Sequence, residues 1–256
     1  FFVIQLLSVG ILSFLSKGVY GGVNWNFSLS NWQRAMQLSY LEIFLRTGVM
    51  ALVTAFFCLS LGVLCAWFVT SRPLRSRDFW LSLFILPFLL NSLVRLYALQ
   101  NFVGVSGPLQ GLIRFFQKGY FSTAWTHNSS IMYVGLVLTY LPFTILPLTA
   151  AFEKRDVAYF EAAHDLEANL WDIFFQVGEP LLRPSFVSSF LLVLIPCLGE
   201  FLVPEILGGS QKMYWGQLIA EAFLKWRDWP LGAAFGLVLI AVIMACLVLQ
   251  RTRAKA

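Results

Sequence analysis

Charged residues are scarce in this chain. Asp, Glu, Lys and Arg make up 12% of its 256 residues, whereas hydrophobic residues make up 59%. Soluble domains average about 25% charged residues, so the composition argues against a soluble domain and indicates a membrane protein. The net charge of +5 does not indicate nucleic-acid binding, because the basic residues form short clusters between apolar runs, as membrane topology signals do.

Residues that carry catalysis or bind metals are equally few. The chain has two histidines and four cysteines, and the cysteines lie within apolar runs without a C-x-x-C pattern. A structural metal is therefore not expected. Neither His127 nor His164 lies in an apolar run, which argues against an intramembrane enzyme, since its base or metal site would lie at membrane depth. The phosphate-loop pattern G-x-x-x-x-G-K-[ST] is missing, so any use of ATP requires another polypeptide.

Long apolar runs dominate what is present. They predict an all-α membrane protein with six transmembrane helices. The first run, of about 15 residues, would span only about 22 Å of a hydrocarbon core of about 30 Å. We therefore expect the N-terminal helix to be truncated; the hydrophobic region of a signal peptide is the alternative. The runs cover residues 1–16, 44–70, 79–103, 129–152, 181–206 and 230–250.

Basic residues concentrate in the connections 71–78 and 153–180 and in the C-terminal tail. The positive-inside rule assigns these three regions to the cytoplasm, and with them both termini. The other connections, 17–43, 104–128 and 207–229, would then lie outside. They are rich in Trp and Tyr, which is typical of an interfacial aromatic belt. Packing against a docked partner is the alternative interpretation.

The polar stretch 161–180 reads EAAHDLEANLWDIFFQVGEP. It resembles the EAA loop of ABC-importer permeases, the cytoplasmic segment through which a separate ATPase drives the permease. Two departures are Glu167, where that family usually has Gly, and Glu179 before Pro180, where it prefers an apolar residue. Within the loop at about 153–180, the resemblance implies that the residues contacting the ATPase are Glu161, Ala162, Ala163, Asp165, Leu166 and Glu167.

The resemblance extends over nearly the whole chain from the second apolar run onward. Within the ABC-importer permeases, the branch that this chain resembles is identified as the polyamine (spermidine/putrescine) importer permeases. The resemblance implies the type I ABC importer permease fold, with residues 1–256 as a single transmembrane domain in the bacterial inner membrane. The segments that carry it are LPF at 86–88, NSLVRLY at 91–97, YLPF at 140–143, LGEFLVPEILGG at 198–209 and RDWPLGAA at 227–234.

The same resemblance implies the partners of the chain. They are a second, homologous permease, two ATPase subunits and an external solute-binding protein. The chain itself would be embedded in a lipid bilayer, and nucleic acid is not an expected partner. No cofactor is expected on this chain, because ATP and magnesium would bind the ATPase. Two alternatives stay open: the same machine carrying another solute, such as iron, thiamine or an organophosphonate, and a secondary transporter.

Three ionisable residues, Arg95, Glu200 and Glu205, lie deepest in apolar runs. A charge at the bilayer centre costs about 2.5–3.5 kcal/mol on insertion scales, so each needs a partner or water. Glu200 and Glu205 are predicted to line a pathway for an organic polycation. Alternatively, one of them pairs with Arg95, or Glu205 lies in water at the interface. Other predicted pathway residues are Tyr97 and Tyr140 for cation–π contacts, Asn91 and, more weakly, Asp228.

Overall fold

The computed structural model describes residues 2–18, 21–104, 107–109, 111, 129–154, 169, 178–209 and 212–253. Its helices are α1 (Phe2–Ser13), α2 (Ser30–Ala35), α3 (Leu38–Thr70), α4 (Leu74–Leu89), α5 (Ser92–Val103), α6 (Ser129–Glu153), α7 (Glu179–Leu198), α8 (Leu202–Leu207), α9 (Trp215–Leu224) and α10 (Trp229–Arg253). Two short strands, β1 (Leu15–Lys17) and β2 (Val23–Phe27), form an antiparallel hairpin.

The chain divides into two compact units. The first contains the described residues within Phe1–Met50, His127–Ser129 and Cys197–Ala256, and the second those within Ala51–Thr126 and Ser130–Pro196. The prediction that residues 1–256 form one domain stays a prediction.

In the first unit, α10 is the central element. Helices α1, α2 and α9 and strand β1 all pack against it. The core forms around Trp215 and Phe235, whose rings meet edge to face at 5.2 Å between centroids. Small residues around these rings let the helices approach closely. The buried members of this core are Ala35, Trp215, Leu218, Ala222, Leu231, Ala234 and Phe235.

In the second unit, small residues on α3 bring it against α6. Gly62 lies so close to Thr144 that a Cβ on the glycine would be 2.5 Å from the Thr144 Oγ1. The Thr144 hydroxyl donates to the Cys58 carbonyl at 3.0 Å. Without a hydrophobic effect between helices in lipid, such close backbone contact is what holds a pair together. The opposite side of α3 exposes large side chains, among them Phe56 and Leu64, as a lipid-facing surface does.

Four helices among the described residues are long and apolar enough to span a membrane, and a fifth span is formed if the bent pair α4 and α5 is counted as one. The largely helical fold predicted from the sequence is confirmed, apart from the small hairpin. The number of six spans stays a prediction.

Two of the predicted apolar runs are each divided into two helices. The run 79–103 forms α4 and α5, which meet at a bend of 91°. Leu90 and Asn91 take extended conformations there. The run 181–206 ends as a helix at Leu198 and resumes as the separate α8. The expectation that Glu200 and Glu205 both lie in the fifth transmembrane helix is therefore wrong.

Candidate functional site

Glu200 lies in the break between α7 and α8. Its Oε1 accepts hydrogen bonds from the backbone N–H groups of Leu202 at 2.9 Å and Val203 at 3.4 Å. The first N–H groups of a helix have no partner within the helix, and a carboxylate also complements the positive end of the helix dipole. The Glu200 side chain, half-buried, thus fixes where α8 begins.

The break is held from one side by α9. A Cβ added to Gly216 would lie 2.5 Å from the Glu200 carbonyl oxygen and 2.6 Å from that of Gly199. Only glycine allows the α9 backbone to come this close to the carbonyls. The first turn of α9 and the unwound segment are therefore in direct backbone contact.

Glu205 is exposed on α8. Its Oε2 accepts a hydrogen bond at 2.9 Å from the Nε2 of Gln217, a buried residue of α9. The Oε1 of Gln217 accepts from the Tyr214 backbone N–H at 3.1 Å. Glu200 thus lies in the chain break and holds the start of α8, whereas Glu205 lies on α8 itself and is exposed.

One acidic residue, Glu221, lies on α9 itself. Glu221 accepts a hydrogen bond from Lys225 at 2.7 Å, four residues along the helix. That hydrogen bond, together with the charge of Glu221, raises the pKa of Lys225.

Asp228 is buried, with 1% of its surface exposed, and is surrounded by cations. Its Oδ2 lies 3.0 Å from the Arg34 Nη1 and 3.9 Å from the Lys17 Nζ. Its Oδ1 accepts from the Leu231 backbone N–H at 3.3 Å, which caps the start of α10. This carboxylate ties α2 and the end of β1 to α10, so its geometry is that of a structural residue rather than of a pathway residue.

Four other predicted pathway residues lie around the bend between α4 and α5 or near it. Asn91 caps α5 by accepting from the Leu93 N–H at 2.9 Å. Arg95 donates to the Pro87 carbonyl at 3.2 Å and to the Thr139 hydroxyl of α6 at 3.4 Å. The Pro87 carbonyl lies in the last turn of α4, where it lacks an intrahelical donor. Arg95 therefore stabilises the bend and attaches it to α6.

The two tyrosines differ in accessibility. Tyr97 is exposed, whereas Tyr140 is 6% exposed and its ring lies 6.2 Å from that of Phe143. Of the two aromatic faces, that of Tyr97 is the one open to a cation.

Arg77 joins three helix ends in the second unit. It donates to the carbonyls of Thr70 at 2.7 Å and Arg72 at 2.8 Å, at the end of α3. Its Nη1 also lies 3.9 Å from the Oε1 of Glu153, the last residue of α6. The predicted coupling residues begin eight positions after Glu153 and lie outside the described residues: Glu161, Ala162, Ala163, Asp165, Leu166 and Glu167.

Gln217, Gly216 and Arg77 were not singled out from the sequence. For Gln217 a local signal exists, since a Gln three residues after a helix N-cap is the capping-box position. Gly216 has no such signal, because its role depends on a carbonyl 16 residues earlier. Among the described residues, no three His, Cys, Asp or Glu side chains converge as a metal site would require.

Comparison with known proteins covers almost the entire chain. Residues 58–252 match the family model described as "Binding-protein-dependent transport system inner membrane component". The chain is 35% identical to the spermidine/putrescine transport system permease protein PotB of Salmonella typhimurium (strain LT2), covering 99% of this chain and 88% of that protein. It is 34% identical to PotB of Escherichia coli (strain K12), covering 99% and 92%.

A solved structure has the same fold. It is the crystal structure of a bacterial ABC transporter involved in the import of the acidic polysaccharide alginate, matched with a TM-score of 0.76 over 100% of this chain and 90% of that one. The sequence identity is 12%, so this likeness concerns the fold alone.

Proposed function

Because this chain belongs to the family of inner membrane components of binding-protein-dependent transport systems, we propose that it is the permease subunit of an ATP-driven importer of spermidine or putrescine. The observation that carries the proposal is the similarity of 34–35% over 99% of the chain to PotB proteins. These relatives are named for spermidine/putrescine transport, and similarity of this extent covers the membrane-spanning helices together with both chain breaks.

The proposed assembly contains this chain, a second homologous permease, two ATPase subunits and an external solute-binding protein. The chain itself is non-catalytic and carries no cofactor; ATP and magnesium bind the ATPase subunits. Transport proceeds by alternating access, in which ATP binding on the partners biases a two-state equilibrium of the permease pair.

The proposed topology has both termini in the cytoplasm of the bacterial cell. The contact of Arg77 with Glu153 supports it, because it brings the end of α3, the start of α4 and the end of α6 together. The two basic connections 71–78 and 153–180 thus leave the second unit at one common end, as the positive-inside rule expects of two cytoplasmic connections.

The proposed coupling element is the loop at about 153–180. The residues of this loop that would contact the ATPase subunit are Glu161, Ala162, Ala163, Asp165, Leu166 and Glu167. The position of Glu153 supports this proposal, since the segment leaves α6 at a residue paired with Arg77, so that a push on the loop is transmitted to α3 and α4.

The proposed pathway for the cation includes the region of the α7–α8 break. Glu205 is exposed there and carries negative charge, and Glu200 lies in the preceding turn with its carboxylate on the start of α8. Polyamines carry several ammonium groups, which carboxylates and aromatic faces bind. Tyr97, Asn91, Arg95 and Tyr140 belong to the proposed pathway region of the second unit.

The test is the ATPase activity of the complete complex in proteoliposomes, with and without its binding protein loaded with spermidine or putrescine. The wild type is compared with Glu161→Lys and with Glu42→Gln, a control at an exposed carboxylate of α3. We expect stimulation by the loaded protein in the wild type and in Glu42→Gln, and its loss in Glu161→Lys.

Each other outcome identifies a distinct failure. Stimulation only by another solute would retain the ABC permease and exclude polyamines. Normal stimulation in Glu161→Lys would exclude the coupling role of the loop. An absence of any ATPase that copurifies with the chain would exclude the ATP-driven assembly.

A further inference from the structure

The orientation of the Gln217 side-chain amide is determined by chemistry. The Tyr214 backbone N–H is a donor, so the atom facing it at 3.1 Å must be the Gln217 oxygen. The NH₂ group therefore faces the Glu205 Oε2 at 2.9 Å, where it acts as a donor to a carboxylate. A carboxylate accepts and cannot donate, which makes this pairing directional.

Gln217 is itself rigidly held. It is 8% exposed and lies one turn into α9, next to the fully packed Trp215. The Trp215 backbone N–H donates to the Thr47 hydroxyl at 2.8 Å, and its Nε1 donates to the Phe235 carbonyl at 3.2 Å. The core of the first unit thus fixes Gln217, and Gln217 fixes one oxygen of an exposed carboxylate.

An exposed Glu on a six-residue helix would ordinarily sample many rotamers. Ordering such a side chain when a ligand binds reduces affinity by the entropy that is lost. A hydrogen bond from a buried, immobile donor removes much of that loss before the ligand arrives. The hydrogen bond to Gln217 uses Oε2, one of the two oxygens of the Glu205 carboxylate.

We propose that Gln217 is a positioning residue that orients the Glu205 carboxylate for contact with an ammonium group of the transported polyamine. This inference rests on the proposed function, and it separates two roles for Gln217: capping α9 through its oxygen and orienting Glu205 through its nitrogen. The two roles use different atoms and can be tested apart.

The decisive variant is Gln217→Glu. Its carboxylate keeps an acceptor for the Tyr214 N–H, so the cap of α9 survives, while the donor to Glu205 is replaced by a like charge. Uptake of radiolabelled putrescine is measured in proteoliposomes containing the complete complex and its binding protein. We expect the apparent KM to rise about tenfold with kcat within about twofold, as for the loss of a hydrogen bond to a charged group.

Two companion variants locate the effect. Glu205→Gln should raise KM by itself, and adding Gln217→Glu to it should raise KM no further, because the group being oriented is already gone. Glu205→Asp keeps the charge but is too short to reach Gln217. It leaves α9 untouched and should raise KM about as much as Gln217→Glu.

The control is Glu221→Gln. It removes one negative charge from α9, the helix of Gln217, without changing Glu205 or Gln217, and its KM should match the wild type. Size-exclusion chromatography of each complex with its ATPase subunits checks assembly.

The outcomes separate the inference from its premise. If the complex with Glu205→Gln transports putrescine with a wild-type KM, the proposed pathway is wrong, and the positioning role of Gln217 is then also excluded. If Glu205→Gln is impaired while Gln217→Glu or Glu205→Asp keeps or lowers the wild-type KM, the pathway stands and the positioning role is overturned. If the complex that carries Gln217→Glu does not assemble, the KM of the Glu205→Asp complex alone tests the positioning role.

Discussion

Arg34 and Asp228, 194 positions apart in the sequence, form a hydrogen-bonded ion pair at 3.0 Å. The carboxylate is almost completely buried, whereas 43% of the Arg34 side chain is exposed. Lys17 approaches the same oxygen at 3.9 Å. One buried charge thus fastens the hairpin and α2 to the beginning of α10.

Replacing Asp228 with Asn should destabilise the first unit. Asn keeps the cap on α10, since Asn and Asp are comparable N-caps, so the change removes only the charge. Leaving Arg34 and Lys17 without their counter-ion should lower the stability by about 1–3 kcal/mol, reduced from the fully buried case because both cations reach solvent. Thermal unfolding of the detergent-solubilised complex measures the effect. The control Glu42→Gln breaks an exposed pair and should leave the Tm unchanged, and equal Tm values for both variants would contradict the prediction.

Replacing Arg77 with Lys should weaken the coupling of ATP hydrolysis to transport. Lys keeps the charge but lacks the planar set of donors that binds the Thr70 and Arg72 carbonyls and Glu153 together. We expect the amount of putrescine taken up per ATP hydrolysed to fall severalfold, with ATPase activity retained. Arg75→Lys, two residues away at an exposed position, is the control. The prediction fails if both variants show the wild-type ratio.

Replacing Gly62 with Ala should separate α3 from α6. The new methyl group would overlap Thr144 and also lie 3.3 Å from Leu148, which costs about 1–3 kcal/mol when a core is overpacked. Gly48→Ala, on the same helix, meets no atom within 4 Å. It should be neutral or stabilise by up to about 1 kcal/mol through helix propensity. Comparing the two midpoints of thermal unfolding tests this, and a destabilising Gly48→Ala would argue against the packing described.

Two substitutions of Glu200 separate the effect of its negative charge from its role in capping α8. Glu200→Gln keeps an oxygen that accepts from the Leu202 N–H, so the complex should assemble normally while polyamine uptake is lost. Glu200→Ala also loses the cap, which should reduce stability by about 0.5–2 kcal/mol. Uptake assays together with thermal unfolding distinguish the two effects. Wild-type uptake by Glu200→Gln would exclude a role for its charge.

Helices that depend on local apolar composition could be predicted from the sequence. The run 44–70 lies within α3, and the run 129–152 nearly coincides with α6. The resemblance of residues 161–180 to the EAA loop pointed to the permease family, and the family is confirmed by comparison. The residues of that motif, like the pathway assignments, stay predictions.

The chain breaks lie at Asn91 and Glu200, but a single polar residue within an otherwise apolar run does not by itself predict that a helix ends there. Pro87 lies inside α4 without ending it, and the bend follows three residues later at Leu90. The pairing of Arg34 with Asp228 was also beyond the sequence. Nothing in the sequence relates two charged residues that are 194 positions apart.

The contact between Gly62 and Thr144 has a mechanical consequence. Sliding α3 along α6 by one turn would bring Cys58 or Ala66 opposite Thr144, and both carry a side chain where only a hydrogen atom fits. Sliding of α3 along α6 at this contact is therefore opposed by steric overlap, and we expect Gly62 and Thr144 to stay in contact during transport. Labels on neighbouring positions of α3 and α6 should keep a constant separation through the whole transport cycle.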